Sequence, residues 1–488
     1  MFRWYKQSHV CFVFLSDLLS IDRNKISSYL PNCRWFTRGW TLQELIAPSE
    51  IEFYDWGWNL IGTNGDDTLR ALLSEITGID ANVLDDSDLL QSIPVARRMS
   101  WAASRQTTRV EDLAYCLFGI FDVNLPLIYG EGKKSFIRLQ EAIASETNDL
   151  SLFAWTSQNE GSVPLSRRQR FRGILAHSPA EFRGCDDLQN ISNPGVIPAV
   201  LSITNQGFNI ADRLLDGGKE CLLSLDCFLQ REESRLSTIV IRLVRTPYGY
   251  VRQHAGVVTG VNMYYLNNNA FPSLPIPKTI SPAETEAIGA ILRERFSFDY
   301  TTNIQFLDVQ IQKKPLHLWD HATKTFITGG SPVFTGVIEL SATWSENRSR
   351  CCTRWIVIFG LRSAYNSSKD HLKRASRLEP WARLYTDRQG SDESRIITNF
   401  LAKEDDYGFP HVAGKARTFA LTPSFDQQQF STTSKQIDIL VGLDRVPYYA
   451  SKGDRWIEST LFGEMEKTSD FSIYKMQLNL KKTPRGVI

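Results

Sequence analysis

The sequence lacks the features that mark membrane-spanning, secreted or nucleic-acid-binding chains. No stretch approaches the ~20 apolar residues that a membrane-spanning helix needs. The apolar run from Val10 to Leu15 is too short for a secretory signal. Lysines and arginines number 55 against 54 aspartates and glutamates, so no overall field attracts nucleic acid or an anionic membrane. We therefore expect a cytoplasmic protein with no membrane span and no nucleic-acid partner.

The sequence also lacks the common signatures of metal and phosphate sites. Its eight cysteines form no C-x-x-C pair, so we expect reduced, mostly buried thiols and no metal site. His317 and His321 stand four apart, but a histidine pair is weak evidence for a metal without a third ligand. The stretch YGEGKKS, Tyr129 to Ser135, misses the spacing of a phosphate-binding loop. It predicts a turn that enters a helix, and no cofactor is expected.

The pattern of apolar residues predicts an α+β protein with several domains, because 488 residues exceed what one hydrophobic core usually holds. Residues 1–65 show the strand–helix–strand rhythm of a parallel sheet, and residues 66–155 show helical periodicity. A polar, glycine-bearing linker follows at 156–175. Residues 176–488 contain short β-branched runs between turns, which predicts a large, β-rich domain, an antiparallel sandwich or barrel-like fold.

A group of tryptophans lies near the start of the chain. They fall within 24 residues, at Trp35, Trp40, Trp56 and Trp58. We favour a buried aromatic cluster, since such side chains bury large areas. A stacking wall for an aromatic ligand is the alternative.

Four arginines precede the acidic pair Glu111 and Asp112 in the helical segment. They are Arg97, Arg98, Arg105 and Arg109. Charge runs on helices are usually surface features, so we expect a solvated, mutually paired surface rather than an anion site. Thr108 and Glu111 fit the capping box T-x-x-E, which predicts a helix start there.

The stretch RGWTLQEL, Arg38 to Leu45, supports two interpretations of one carboxylate. Trp40 and Glu44 stand four apart, so on a helix they share one face, as a ligand-facing pair would. Thr41 and Glu44 also fit T-x-x-E, in which the hydroxyl and the carboxylate accept free amide N–H groups at a helix start. The sequence leaves both interpretations open.

Two longer segments carry a resemblance to a known family. WFTRGWTLQELIAPSEIEFY, from Trp35, resembles the hallmark segment of the fungal heterokaryon-incompatibility (HET) domain. MSWAASRQTTRVEDLAYCLFGIFDVNLPLIYGEGKKSFIRLQEAI, from Met99, resembles the helical extension that accompanies many HET domains. The resemblance covers residues 1–155. It implies a role in vegetative (heterokaryon) incompatibility, non-self recognition and cell-death signalling.

The family resemblance also implies a site. HET domains are considered similar to TIR domains, so residues 1–65 are expected to form a TIR-like α/β portion. Enzymatic TIR domains cleave NAD and often carry W-x-x-x-E with a catalytic glutamate, a spacing that Trp40 and Glu44 fit. The resemblance implies that Glu44 is catalytic, that Trp40 and Arg38 line the ligand site, and that NAD is a substrate and not a cofactor.

One departure from the family pattern limits this expectation. In HET domains a segment resembling L-S-Y-x-W-G opens the domain and a further strand with acidic and cysteine residues follows, and this sequence shows neither before its first strand candidate, HVCFVFLSD at His9–Asp17. We expect an N-terminally incomplete HET domain, with NAD glycohydrolase activity in an intact domain but not in this chain. Two alternatives stay open: a non-catalytic recognition module that binds a protein partner or self-associates, and an inactive remnant.

Overall fold

The computed structural model of the protein describes residues 1–19, 26–157, 169–191, 199–210, 213–216, 221–230, 237–256, 258–262, 274–329, 334–346, 349–363, 378–386, 419–420, 439–448, 455–467 and 472–484. These residues divide into two compact units, Met1–Thr285 and Glu286–Ile488. The division does not test the predicted boundaries at residues 65, 155 and 175, which stay predictions. Residues 158–168 of the predicted linker lie outside the described residues.

The N-terminal unit begins with three short helices and a three-stranded sheet. In chain order the elements are α1 Phe2–Lys6, β1 Cys11–Phe14, α2 Ile26–Tyr29, α3 Thr41–Ile46, β2 Ile51–Tyr54 and β3 Leu60–Thr63, with 3₁₀ helices at Leu30–Asn32 and Arg34–Thr37. The strand order is β1-β2-β3, with β1 parallel to β2 and β3 antiparallel to β2. The predicted strand–helix–strand arrangement is therefore confirmed.

A helical segment follows, as the periodicity predicts. Its helices are α4 Asp67–Thr77, α5 Ala81–Asp85, α6 Val95–Ser100, α7 Asp112–Tyr115 and α8 Lys134–Glu146, with 3₁₀ helices at Ser87–Ser92 and Leu150–Phe153. Local chemistry sets the ends of α4. The Asp66 side chain accepts the N–H groups of Thr68 and Leu69 at its start, and Gly78 ends it with a φ of 70°.

Strands dominate the rest of the N-terminal unit. They are β4 Phe171–Arg172, β5 Leu188–Asn190, β6 Leu201–Thr204, β7 Gly207–Ile210, β8 Leu214–Asp216, β9 Cys221–Ser224, β10 Cys227–Leu229, β11 Ser237–Thr246, β12 Gly249–Gln253 and β13 Thr259–Asn262. Helix α9, Pro282–Ile291, follows them and contains the division between the two units. Six of these strands form one sheet of order β4-β12-β11-β9-β8, in which β13 also pairs with β11. The pairs β5–β10 and β6–β7 form two small ribbons.

The C-terminal unit contains two larger sheets. Its strands are β14 Glu294–Thr302, β15 Phe306–Lys314, β16 Trp319–Asp320, β17 Thr325–Ile327, β18 Phe334–Glu346, β19 Ser349–Ser363, β20 Leu378–Thr386, β21 Phe419–Ala420, β22 Ile439–Tyr448, β23 Arg455–Lys467 and β24 Ser472–Pro484, with a 3₁₀ helix at Leu316–Leu318. One sheet has the order β16-β17-β14-β24-β23-β22 and the other β15-β18-β19-β20-β21. Among these described strands, β14 and β24 are parallel and the other pairs are antiparallel.

Both sheets of the C-terminal unit contribute to one buried core. Phe296 and Leu478 come from the first sheet, and Trp355 and Phe359 come from the second. The indole N–H of Trp355 donates to the hydroxyl of Ser459 at 2.8 Å, which joins the two layers by a buried hydrogen bond. The predicted α+β class, with a β-rich C-terminal part, is confirmed.

The described cysteines are free thiols, and most are buried, as the sequence predicts. The buried ones are Cys33, Cys116, Cys185, Cys221 and Cys227. Within the described ranges, no helix is both long and apolar enough to cross a membrane. The same residues bring together no group of three or more His, Cys, Asp or Glu side chains that could hold a metal ion.

Candidate functional site

Helix α3 is buried on every side except at one residue. Thr41, Leu42, Gln43, Leu45 and Ile46 are all buried, and Glu44 is half-buried. Trp40, which precedes the helix by one residue, is also half-buried. The two partly accessible positions are therefore those that the four-residue spacing places on one face. Arg38, the third predicted site residue, is exposed before the helix starts.

The capping-box interpretation of this helix is wrong. Trp40 and not Thr41 occupies the N-cap position, and no side chain caps the helix start. The Thr41 hydroxyl oxygen is buried, 2.6 Å from the carbonyl oxygen of Trp35 and 2.8 Å from that of Arg38. The same oxygen accepts from Nη1 of Arg105, and it accepts no amide N–H group at the start of the helix. Glu44 is therefore not half of a reciprocal cap.

The carboxylate of Glu44 has a partner that is distant in sequence. The Tyr5 hydroxyl, on α1, donates to Oε1 of Glu44 at 3.2 Å. Burial, together with the charge and hydrogen bond of Glu44, raises the pKa of Tyr5 to about 12. Burial and the Glu44 charge likewise raise the pKa of the Cys11 thiol to about 11. At neutral pH both neighbours are protonated, so Glu44 has a neutral donor beside it.

Arg105, which belongs to the helical segment, fixes the residues that lead into α3. It is buried, and Nη1 donates to the carbonyl of Arg38 and to Oγ1 of Thr41, both at 2.9 Å. Its Nε donates to the carbonyl of Trp101 at 3.1 Å. Burial lowers the pKa of Arg105 to about 10, and the nearby Cys116 and Glu44 oppose that shift. The guanidinium still carries its charge at neutral pH, within the electrostatic reach of Glu44.

The residues that follow Arg105 also contact the residues that lead into α3, here through the backbone. Gly39 N–H donates to the carbonyl of Gln106 at 2.8 Å. A Cβ atom at Gly39 would lie only 2.4 Å from Cγ2 of Thr107, so this close approach requires glycine. The side-chain amide of Gln43 donates to the carbonyl of Cys116 at 2.8 Å. The residues around Trp40 and Glu44 are thus positioned by a segment more than sixty residues away.

The predicted solvated arginine surface is wrong for two of its members. Arg98 and Arg105 are buried, and Nη1 of Arg98 donates to the carbonyl of Ile120 at 3.1 Å. Arg97 pairs with Asp80 at 2.7 Å. These guanidinium groups hold carbonyl oxygens and a carboxylate inside the fold, so they leave little for an external anion.

The second capping-box prediction is wrong, because Glu111 and not Thr108 occupies the N-cap position of α7 and no side chain caps that helix. Oε1 of Glu111 accepts the backbone N–H groups of Gly130 and Gly132, at 2.8 and 3.0 Å. Those glycines belong to the stretch YGEGKKS, which forms the predicted turn into α8. The backbone N–H groups of Glu111 itself, Gly132 and Gly130 hold the pKa of this carboxyl below its usual value.

The tryptophans do not form one buried cluster. Trp35 is buried and contacts the rings of Phe36 and Phe53. Trp56 and Trp58, in contrast, are 58% and 62% exposed. The predicted buried cluster is therefore wrong for this pair.

Sequence reasoning missed Tyr5 as a neighbour of Glu44 and assigned Arg105 to the wrong environment. Tyr5 lies 39 residues before Glu44 and belongs to no recognisable motif. Arg105 stood in a run of charges whose periodicity resembles that of an exposed helix. Only the tertiary fold brings these two side chains to α3.

Comparison with known proteins finds one informative similarity. Over 157 residues the chain is 45% identical to the vegetative incompatibility protein HET-E-1 of Podospora anserina. The matched stretch is 31% of this chain and 11% of that protein, so the chain spans only a small part of its relative's length. No family model matches the chain. No solved structure matches it either.

Proposed function

We propose that this chain acts in fungal vegetative incompatibility, through a site on α3 that cleaves NAD. The similarity to HET-E-1 supports the first part, since that protein is named for vegetative incompatibility and is 45% identical over 157 residues. The similarity covers only 11% of the relative, so the relative's role in incompatibility is for this chain a proposal. The departure from the family pattern predicts no NAD cleavage by this chain, and the geometry of α3 is our reason to propose the opposite.

The observation that carries the chemistry is the placement of Glu44. On a helix whose other five residues are buried, Glu44 alone retains partial exposure, with half-buried Trp40 one turn before it. Neither side chain caps the helix. Tyr5 holds one carboxylate oxygen by a hydrogen bond, which leaves the second oxygen available to a ligand on the same face.

These groups match the needs of N-glycosidic cleavage. The bond between ribose C1′ and nicotinamide nitrogen breaks, and nicotinamide leaves with the bonding electron pair. Water then adds to C1′ and releases a proton. A carboxylate stabilises the oxocarbenium-like centre that forms between these events, as in glycoside hydrolysis. Trp40 offers a ring face to the nicotinamide or ribose, and the exposed Arg38 offers its guanidinium to the diphosphate.

Nicotinamide release by the purified full chain tests this proposal. We expect release that Glu44→Gln abolishes, because glutamine keeps the shape of the side chain and removes its charge. Glu52→Gln is the matched control, since Glu52 is also half-buried and also accepts a tyrosine hydroxyl, that of Tyr54 at 2.5 Å. This control should retain the wild-type rate. Equal release by wild type and Glu44→Gln would remove Glu44 from the chemistry.

A non-catalytic recognition module is the second candidate, favoured by exposed aromatic rings on the three-stranded sheet. The two candidates predict different cell-death responses when variants of the chain are expressed in a fungal host. A cell-death response that is lost in Glu44→Gln supports the enzyme. A response that survives Glu44→Gln but is lost when the exposed rings are removed supports the recognition module.

A further inference from the structure

The loop between α7 and α8 exposes a group of apolar side chains. Leu127, Ile128 and Tyr129 are consecutive and are 54%, 48% and 48% exposed. Val110 is 50% exposed, and it follows Arg109, whose guanidinium lies 4.5 Å from the centroid of the Tyr129 ring. We call Val110, Leu127, Ile128 and Tyr129 the loop surface. Single exposed apolar residues are common on proteins, whereas a group of them marks a contact surface.

Side chains of the two helices fix the backbone of this loop. The buried Tyr115 hydroxyl accepts the N–H of Ile128 at 2.8 Å and lies 2.7 Å from the carbonyl oxygen of the same residue. Nη2 of Arg138 donates to the carbonyl of Pro126 at 2.9 Å. Glu111 holds the glycine N–H groups that follow the loop. A loop that is already fixed loses little conformational freedom when it binds, which favours association.

The exposed charges near the loop surface are mostly positive. In residues 109–134 they are the cations Arg109, Lys133 and Lys134 and one carboxylate, Asp122. None of these three cations forms an ion pair with another described residue. The other carboxylates of the stretch have partners inside the fold: glycine N–H groups for Glu111, the Tyr129 hydroxyl for Asp112, and Tyr115 with Arg138 for Glu131. The cations are therefore available to carboxylates from outside the described fold.

Apolar side chains and unpaired cations together define the chemistry of a partner. We propose that the loop surface binds a short acidic segment of another protein. Apolar side chains of the segment cover the loop surface, and its carboxylates pair with Arg109, Lys133 and Lys134. Such charge complementarity sets the choice and orientation of a partner, while the apolar contacts supply affinity. The binding does not depend on any chemistry at Glu44.

The area of the loop surface fits a segment and not a folded partner. Its four side chains are each about half exposed and together offer roughly 300–400 Å². That is as large as the largest apolar patch on many monomers. It is about half of the ~800 Å² that each of two folded partners contributes to a standard interface. Peptide segments, in contrast, bind through a few apolar anchors set among charged groups.

An anionic membrane fits the loop surface less well than an acidic segment does. Apolar side chains that bind a membrane are buried about 5–10 Å deep in it, so they must protrude from the protein. Those of the loop surface keep about half of their area against the fold. Both backbone groups of Ile128 also lie beside the buried Tyr115 hydroxyl. The loop therefore lies flat on the helices.

Short random peptides displayed on phage and selected on the purified full chain provide the probe. We expect selected peptides that combine aliphatic or aromatic side chains with aspartate and glutamate. Leu127→Asp and Lys134→Glu should each raise the dissociation constant of the best peptide about tenfold or more, measured by fluorescence anisotropy. An acidic residue is favourable at the start of α8, so Lys134→Glu should fold normally. Leu316→Asp and Lys481→Glu are the matched controls, since both residues are exposed in the C-terminal unit, and they should leave the constant unchanged.

A carbodiimide crosslinker locates the contact, because it joins a carboxylate directly to a neighbouring lysine amine. Peptide mapping by mass spectrometry should find the selected peptide joined to Lys133 or Lys134.

Four results would overturn the proposal. They are a selection that returns no binding peptide, binding that survives both Leu127→Asp and Lys134→Glu, crosslinks confined to other lysines, and binding to phosphatidylserine vesicles that Leu127→Asp abolishes. The last result would assign the loop surface to a membrane. Nicotinamide release by each variant is measured separately, so failure of the peptide binding and failure of the proposed activity are distinguishable.

Discussion

Nη1 of Arg105 lies 2.9 Å from Oγ1 of Thr41, a buried hydrogen bond between residues 64 positions apart. The same nitrogen donates to the carbonyl of Arg38. One guanidinium thus holds both the chain that enters α3 and the first residue of the helix. The face that carries Trp40 and Glu44 is therefore set by the helical segment and not by a local cap.

Thr41→Val should destabilise the protein, although it preserves the shape of the side chain. The change removes the acceptor for Arg105 and a donor to two backbone carbonyls, which leaves buried polar groups without partners. We expect a loss of about 1–3 kcal/mol in the free energy of unfolding, measured by urea denaturation. Thr41→Ser keeps the hydroxyl and should lose much less. Equal losses for Val and Ser would show that packing and not the hydroxyl matters.

The reactivity of the Cys11 thiol should depend on the charge of Glu44. Burial and that charge raise the pKa of Cys11 to about 11, so few molecules carry the reactive thiolate at neutral pH. Glu44→Gln removes one cause and should lower the pKa, which speeds alkylation of Cys11. Peptide mapping by mass spectrometry measures the rate, with the exposed Cys352 as internal reference. Glu52→Gln should not change the rate, and an unchanged rate in Glu44→Gln would contradict the prediction.

Acid should weaken the fold in part through Glu111. Its pKa in the folded protein is held below the ordinary value of 4.5. A lowered folded pKa means that this carboxylate stabilises the protein above pH 4.5, and that the stabilisation is lost as the pH falls through the folded pKa. Glu111→Gln should therefore show a flatter dependence of the urea midpoint on pH below that value. An unaltered pH profile would show that the glycine N–H contacts do not contribute.

Arg252→Lys should destabilise the N-terminal unit strongly. Arg252 is fully buried, donates to the carbonyls of Phe153 and Trp155 at 3.0 and 2.5 Å, and lies 3.9 Å from the Trp155 ring centroid. Lysine lacks the planar fork for these contacts, and we expect a loss of about 2–4 kcal/mol by chemical denaturation. The exposed Arg183→Lys should stay within about 0.5 kcal/mol of wild type.

The sequence predicted the elements whose patterns are local. The apolar runs of β1 and β2, the short helix between them and the shared face of Trp40 and Glu44 follow from periodicity alone. The C-terminal layers follow from β-branched runs between turns. The stretch ETEAIGAILRERF, Glu284 to Phe296, reads as one helix in the sequence, but α9 ends at Ile291 because residues from Glu294 onward pair with two strands as β14.

The contacts of the candidate site could not be predicted in the same way. Thr41 and Glu111 both fit a capping box, but each found stronger partners elsewhere: Arg105 and two carbonyls for Thr41, two glycine N–H groups for Glu111. Local preferences are weak compared with buried tertiary hydrogen bonds. A single sequence also gives no sign that Trp58 takes a left-handed backbone and stays exposed.

The surroundings of Trp155 determine how this chain can be divided for expression. The guanidinium groups of Arg172 and Arg252 lie 4.6 and 3.9 Å from its ring centroid, and its N–H donates to the carbonyl of Ile174 at 2.7 Å. Gln140 of α8 also exchanges hydrogen bonds with the backbone of Ala176. A fragment that stops at residue 155, where the family resemblance stops, would lack the partners of both side chains. The Trp155 indole and the Gln140 amide would then be exposed to water. The recombinant piece to make, and the one expected to resist proteolysis, extends through the sheet that carries Arg252.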